Sequence, residues 1–240
     1  MAAIVKHAPP APPELGSHDG LAYALFLPAG EPAAGVVVLH GAGSAKESHF
    51  DFARVCRASG LAALAYDARG HGRSEGEFGP GAIDDALAMC ELMREHAPQV
   101  ALRGSSMGGF QAIHAAAAAD RRVCAVVAIC PATEELLLRG LRSGRLRFKC
   151  DEDACAEWLQ GLDVFDAAAR LGPETGLLLL HARGDEQIPY TVSEQLSEAA
   201  GEPKRLLLLP GGHHRSLQHD VELQSLAVRY ITRSASRRPA

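Results

Sequence analysis

Arg103-Gly104-Ser105-Ser106-Met107-Gly108-Gly109 joins an apolar run, Val100 to Ser105, to an Ala-rich stretch, Met107 to Ala119. The run reads as a buried strand and the stretch as a helix. A G-x-S-x-G pattern between strand and helix holds its serine on a sharp turn, with the hydroxyl exposed and the unpaired N–H groups of the helix start beneath it. Ser106 is the candidate nucleophile because Gly104 and Gly108 stand one residue clear on each side, as the tight turn needs. Ser105 is the competing hydroxyl.

Outward from this turn, short apolar runs alternate with helix-period stretches. Strands are expected at Leu21 to Leu27, Val36 to His40, Leu61 to Asp67, Val100 to Ser105, Val123 to Cys130, Leu177 to Ala182 and Arg205 to Leu209. Helices are expected at His49 to Ala58, Ile83 to His96, Met107 to Ala119, Thr191 to Ala200 and Val221 to Arg233. The alternation predicts an α/β fold, a mostly parallel sheet of seven or eight strands with helices on both faces. Pro131 to Pro173 is too long for an ordinary crossover and is expected to form a small cap. Within it, Glu134 to Phe148 interleaves leucines with Arg139, Arg142, Arg145 and Arg147, the pattern of an amphipathic helical segment. The arginines read as a solvated face or as a magnet for a substrate anion.

The 240 residues, 47% of them hydrophobic, fit one domain with a sizeable core. A formal net charge of −5 gives no basic surface for nucleic acid. Residues 1–14 are Pro/Ala-rich, without the apolar core of a signal peptide, and no run approaches the roughly 20 residues of a membrane span. A cytoplasmic location is expected, with fraying confined to that N-terminal segment and to the residues after Ile231. The six cysteines show neither a C-x-x-C pair nor metal spacing, and a serine nucleophile with its base and acid needs no metal or organic cofactor. Cys150 and Cys155 are close enough to bridge only in an oxidising compartment. Oligomeric state is not legible.

A serine hydroxyl needs a base to take its proton and an acid to orient that base. Asp185 and Glu186 follow the run Leu177 to Ala182; His213 and His214 follow the last strand. The order Ser, Asp, His, together with His40-Gly41-Ala42-Gly43 after one strand and Asp67-Ala68-Arg69-Gly70-His71-Gly72-Arg73-Ser74 after the next, resembles the α/β-hydrolase superfamily. The chain looks close to the carboxylesterase and monoacylglycerol-lipase-like branch, over roughly Leu21 to Ile231. The resemblance implies an acyl-enzyme mechanism on small-molecule esters. It assigns Asp185 as the acid and His214, four residues after Pro210, as the base. It gives the oxyanion donors as the N–H groups of Ala42 and Met107. Asp67, Arg69 and His71 read as turn residues. The competing readings are an amidase or aminopeptidase, an acyltransferase, or a ligand-binding protein that keeps this fold. An aminopeptidase would need an acidic anchor, for which Glu134, Glu135 and Asp151 to Asp153 are loose candidates. A dienelactone-type hydrolase would carry cysteine where Ser106 stands.

Overall fold

In the computed structural model, which describes residues 11–237, the apolar runs become one eight-stranded sheet. Its strands are β1 (Glu14–His18), β2 (Leu21–Phe26), β3 (Gly35–Leu39), β4 (Ala62–Tyr66), β5 (Val100–Ser105), β6 (Ala125–Ile129), β7 (Gly176–Ala182) and β8 (Lys204–Leu209). The spatial order is β1-β2-β4-β3-β5-β6-β7-β8. β2 is antiparallel to both β1 and β4, and every later pairing is parallel. All five residues of β3, β4 and β6 are buried, as parallel strands must be when helices cover both faces.

The helices are α1 (Phe50–Ala58), α2 (Ala82–Arg94), α3 (Met107–Ala118), α4 (Glu134–Arg142), α5 (Glu152–Gln160), α6 (Val164–Ala169), α7 (Thr191–Ala199) and α8 (Val221–Ala235). α1 and α8 bury Phe52, Ala227 and Ile231 on one face with Phe26, Val36 and Val38. α2, α3, α6 and α7 bury Met89, Phe110, Ala167 and Leu196 on the other with Leu39 and Leu64.

The chain leaves β3 for β4 on one side, then returns to β5 on the other. The sheet therefore has its topological switch between β3 and β5, where open α/β sheets bind ligands at the strands' carboxyl ends. Ala42 follows one of these strands and Ser106 the other.

Each expected strand and helix lies within two residues of an observed one. β1 is new: Glu14 to His18 is polar and exposed, paired to β2 through an Asp19-Gly20 turn with φ of 52° and 78°. Both signs suit the two-residue hairpin turn whose twist matches the strands. The expected fraying of the N-terminal segment falls outside the described residues for 1–10, whereas Glu14 already pairs with Leu25. At the other end α8 continues past Ile231 to Ala235 with Ser234 buried, which corrects the expectation of fraying there; residues 238–240 lie outside the described part.

The segment Glu134 to Phe148 is not helical throughout. α4 stops at Arg142 because Gly144 takes φ 67°, the left-handed conformation that ends helices. The chain then folds back, the N–H groups of Arg145 and Leu146 both donating to the carbonyl of Gly140 at 3.1 Å. α5 and α6 start on aspartate caps: Asp151 accepts from the N–H of Ala154 at 3.0 Å, and Asp163 from that of Phe165 at 2.9 Å. α6 packs with α3 and α7 against the sheet, while α4 and α5 pack on each other above it.

Two attachments hold this upper layer. Phe78, Phe148 and Trp158 meet edge to face, with ring centroids 5.0 and 5.7 Å apart, and Trp158 reaches Phe110 of α3 at 6.3 Å. The backbone of Lys149 also exchanges hydrogen bonds with Gly70 (3.2 Å) and Phe78 (2.9 Å). Gly70 must be glycine here, since φ is 74° and a Cβ would collide with the Lys149 carbonyl. No helix among the described residues is long and apolar enough to cross a membrane.

Candidate active site

β5 ends on the sharp turn the sequence predicts. Ser106 has φ 53° and ψ −118°, a conformation that non-glycine residues rarely hold without compensation. Its N–H donates to the carbonyl of Ile129 at 2.9 Å, and its own carbonyl accepts from Phe110 (3.1 Å) and Ala132 (3.1 Å). The glycines around it are required by contact: a Cβ on Gly104 would strike the backbone of Gly108, and one on Gly108 the Leu39 carbonyl. The turn, and not Ser105 inside the strand, puts the Ser106 side chain at the sheet's upper edge. Met107 opens α3, so its N–H has no acceptor within the helix. Ala42 lies in the loop after β3 and lines the same cleft as Ser106.

The loop after β7 brings Asp185 to His214. His214 Nδ1 lies 2.8 Å from Asp185 Oδ2, with the two side chains only 8% and 1% exposed. The other carboxylate oxygen, Oδ1, accepts from the N–H groups of Gln187 (2.8 Å) and Ile188 (2.9 Å). Buried His181 stands behind: Nε2 is 3.0 Å from the Ile188 carbonyl and 3.5 Å from Asp185 Oδ2, and Nδ1 is 2.7 Å from Ser193 Oγ. A carbonyl can only accept, so Nε2 of His181 carries the proton and Nδ1 accepts from Ser193. Burial alone would raise the Asp185 carboxyl. Hydrogen bonds from His181, from His214 and from the Ile188 and Gln187 N–H groups outweigh it and hold Asp185 well below the usual carboxylate range.

The remaining candidates separate cleanly. His213 is exposed, its N–H donating to Ser216 Oγ at 2.9 Å. Glu186, the competing acid, accepts the backbone N–H of His214 at 3.1 Å and so holds the histidine's loop instead of its ring. Asp67 is a structural hub, accepting from Lys46 Nζ at 2.6 Å and from the N–H groups of Lys46 (2.8 Å) and Arg73 (2.9 Å). Arg69 pairs with Asp85 at 3.0 Å, and His71 lies 4.8 Å from Phe148, ring to ring. Among the cap arginines, Arg139 pairs with Glu135 at 2.7 Å, whereas Arg145 lines a cavity with Ser106. Cys150 and Cys155 are free thiols.

Two features were hidden from the sequence. Cys130 Sγ and ligand-capable atoms of Asp185 and His214 all lie within 4.8 Å of one another, the one grouping among the described residues able to offer a cation three such ligands. Asp185 and His214 already engage each other at hydrogen-bond distance, and burial pushes the Cys130 thiol well above its ordinary value, away from the thiolate a metal needs. The second is Arg103 of β5, three residues before Ser106 and almost wholly buried. Its guanidinium donates to His49 Nδ1 (2.8 Å) and to the Gln218 carbonyl (2.9 Å), and stacks on Phe52 at 4.5 Å. One arginine on the serine's strand thus grips the short helical turn after the Ala42 loop and the one after His214.

Buried neutral histidines surround this machinery. Ala68 N–H donates to His40 Nε2 at 3.0 Å, so His40 Nδ1 carries the proton donated to the Gly41 carbonyl at 2.8 Å. Burial lowers His40 to about 4 and, with the Arg170 charge, His114 to about 4; His49 is also pushed well down by burial and by Arg103. A histidine held below its unfolded value stabilises fully above that value, and the contribution drains away as pH falls towards the folded one. The urea midpoint of unfolding is therefore expected to fall between pH 6.5 and 4, as His40 and His114 titrate in the unfolded chain but not in the folded one. A midpoint flat across that window would contradict this accounting.

A sheet with its switch between β3 and β5, a serine on the strand-to-helix turn and a paired Asp and His on the later loops make up the arrangement of the α/β-hydrolase fold. The family model described as serine aminopeptidase, S33 matches residues 30–143. The chain is 27% identical over 193 residues to the uncharacterised Escherichia coli K12 protein YfhR, covering 78% of this chain and 65% of that protein, just under two-thirds of its length. It is 34% identical over 132 residues to human monoglyceride lipase, covering 50% of this chain and 42% of the relative. Among solved structures, Est1E of Butyrivibrio proteoclasticus with ferulic acid bound superposes with a TM-score of 0.71 at 21% identity, over 92% of this chain and 96% of that one.

Proposed function

We propose that this protein hydrolyses carboxylic esters through an acyl-enzyme on Ser106, with His214 as general base and Asp185 as its orienting acid. The observation that carries the proposal is the 2.8 Å pair of His214 Nδ1 and Asp185, in the cleft that Ser106 also lines. With Nδ1 committed to Asp185, Nε2 is the nitrogen left to take the Ser106 proton. The serine oxygen then adds to the ester carbonyl, and the oxyanion accepts from the N–H groups of Ala42 and Met107, each worth about 3 kcal/mol in the transition state. Collapse of the tetrahedral intermediate breaks the bond to the alcohol, which leaves with the proton from His214. Water activated by the same nitrogen releases the acid and regenerates the serine.

An aminopeptidase would need a carboxylate facing the substrate amine. Of the loose candidates, Glu134 accepts from the Val164 N–H at 3.2 Å, Glu135 pairs with Arg139, and Asp151 caps α5. No aspartate or glutamate lines either cavity at Ser106. Esters are accordingly the better substrates for this geometry.

The test is a p-nitrophenyl ester series of increasing acyl length, run with wild type and Ser106→Ala side by side. Turnover that depends on Ser106 is expected, with its optimum at short to medium chains, since the apolar cavity beside the serine holds only about 160 Å³. No turnover on any chain length would move the reading to amides, acyl transfer or ligand binding.

A further inference from the structure

The cleft at Ser106 has two arms that share Leu146 and Gln187 but differ in their other walls. One, of about 160 Å³, runs beneath α4 and is walled mainly by Ala132, Leu136, Leu137, Leu146 and Ile188, with Arg145 its one charged side chain. The other, of about 140 Å³, is walled by Ser44, Ser48, Arg215, Gln218 and His219. His214 lines only the polar arm. The histidine must hand its proton to the leaving oxygen, so the alcohol half of an ester belongs in that arm and the acyl half in the apolar one.

No aspartate or glutamate lines the polar arm, whose one permanently charged lining side chain is the cation Arg215. The carboxylates behind it already have partners, Asp185 on His214 among them. Glu186 accepts from the His214 N–H, Glu47 pairs with Lys46 at 3.1 Å, and Asp51 meets His219 at 2.8 Å and Gln224 at 2.7 Å. The Arg215 guanidinium, by contrast, has no hydrogen-bond or ion-pair partner among the described residues. Ser44 donates to Ser48 Oγ at 3.0 Å, which leaves the Ser48 proton to donate into the arm.

Resting on the ester-hydrolase reading, we propose that the polar arm recognises a leaving alcohol that carries an anionic oxygen group, a phosphate or a carboxylate, with Arg215 as the charged contact and Ser48 as a second donor. A guanidinium binds both groups through charge-assisted hydrogen bonds, and the exposure of Arg215 makes the attraction sensitive to salt.

The experiment compares butyryl esters of glycerol, glyceric acid and glycerol 3-phosphate, reading kcat/KM for wild type, Arg215→Gln and Arg142→Gln. Arg142 is exposed on the cap and controls for the loss of one positive charge. An anionic ester is expected to exceed the neutral one by about tenfold, and the two anionic arms separate phosphate from carboxylate. That ratio should fall towards one in Arg215→Gln and persist in Arg142→Gln. A wild-type ratio of one or less, or equal changes in the two variants, overturns the proposal. Calorimetric titration of glycerol 3-phosphate, glycerate and glycerol into the wild type supplies a readout independent of turnover. If no ester is cleaved but either anion binds through Arg215, the hydrolase reading fails and the anion site stands; if neither anion binds, the site fails too.

Discussion

Ser106→Ala is expected to lower ester turnover by roughly a millionfold, the scale on which serine hydrolases lose rate when the nucleophile is removed. The fold should survive, because the turn is built by Gly104, Gly108 and the backbone bonds to Ile129 and Ala132, none of which uses the hydroxyl. A companion variant separates chemistry from strain. At φ 53° any residue with a Cβ is strained, so Ser106→Gly should be equally inactive yet more stable than Ser106→Ala by about 1 kcal/mol. Scanning calorimetry beside the ester assay reads both effects. A Ser106→Ala enzyme that keeps more than about a hundredth of its rate would place the nucleophile elsewhere, with Ser105 the first suspect, since the full loss belongs to removal of the nucleophile.

The second large effect concerns the base and its acid. His214→Ala should cost nearly as much as loss of the serine, whereas His213→Ala, at an exposed loop position, should change the rate only a few-fold. Asp185→Asn should lower kcat by roughly ten-thousandfold. An asparagine can keep one oxygen on the Gln187 and Ile188 N–H groups, but it then turns its amide protons towards His214 and His181, both of which are donors. The imidazole loses the partner that fixes its proton on Nδ1, and Nε2 is no longer reliably free to accept. A dead His213→Ala, or an Asp185→Asn enzyme within tenfold of wild type, would break the assignment.

How much of this was legible depends on sequence distance. β3, β4 and β6 are continuous apolar runs because helices bury both their faces, and such runs announce themselves. β1 does not: it is an exposed edge strand of mixed polarity whose one clear signal is the Asp19-Gly20 turn. α5 and α6 are short, and their aspartate caps at Asp151 and Asp163 were the available signs. At the site, Ser106 was readable because its signal is local. Asp185 and His214 stood out by their order after strands, but their meeting is a contact across 29 residues of sequence. Arg103 looked like any polar residue in a strand. Its partners lie 54 and 115 residues away, and no pattern around position 103 reports them.

That distribution of anchors divides the molecule into loops fastened to the sheet and a layer laid over them. The serine turn, the Ala42 loop and the His214 loop are all fastened to the sheet, two of them through Arg103. The layer formed by α4 and α5 is fastened through the buried Leu137, Leu141, Cys155 and Leu159, three aromatic rings and the backbone of Lys149. Sequence drift in that layer can reshape the acyl arm without moving a catalytic atom, provided Phe148, Trp158 and the Lys149 contact persist. Under the proposed function, a change of acyl preference thus has a short path open to it, and the path runs between Glu134 and Gln160.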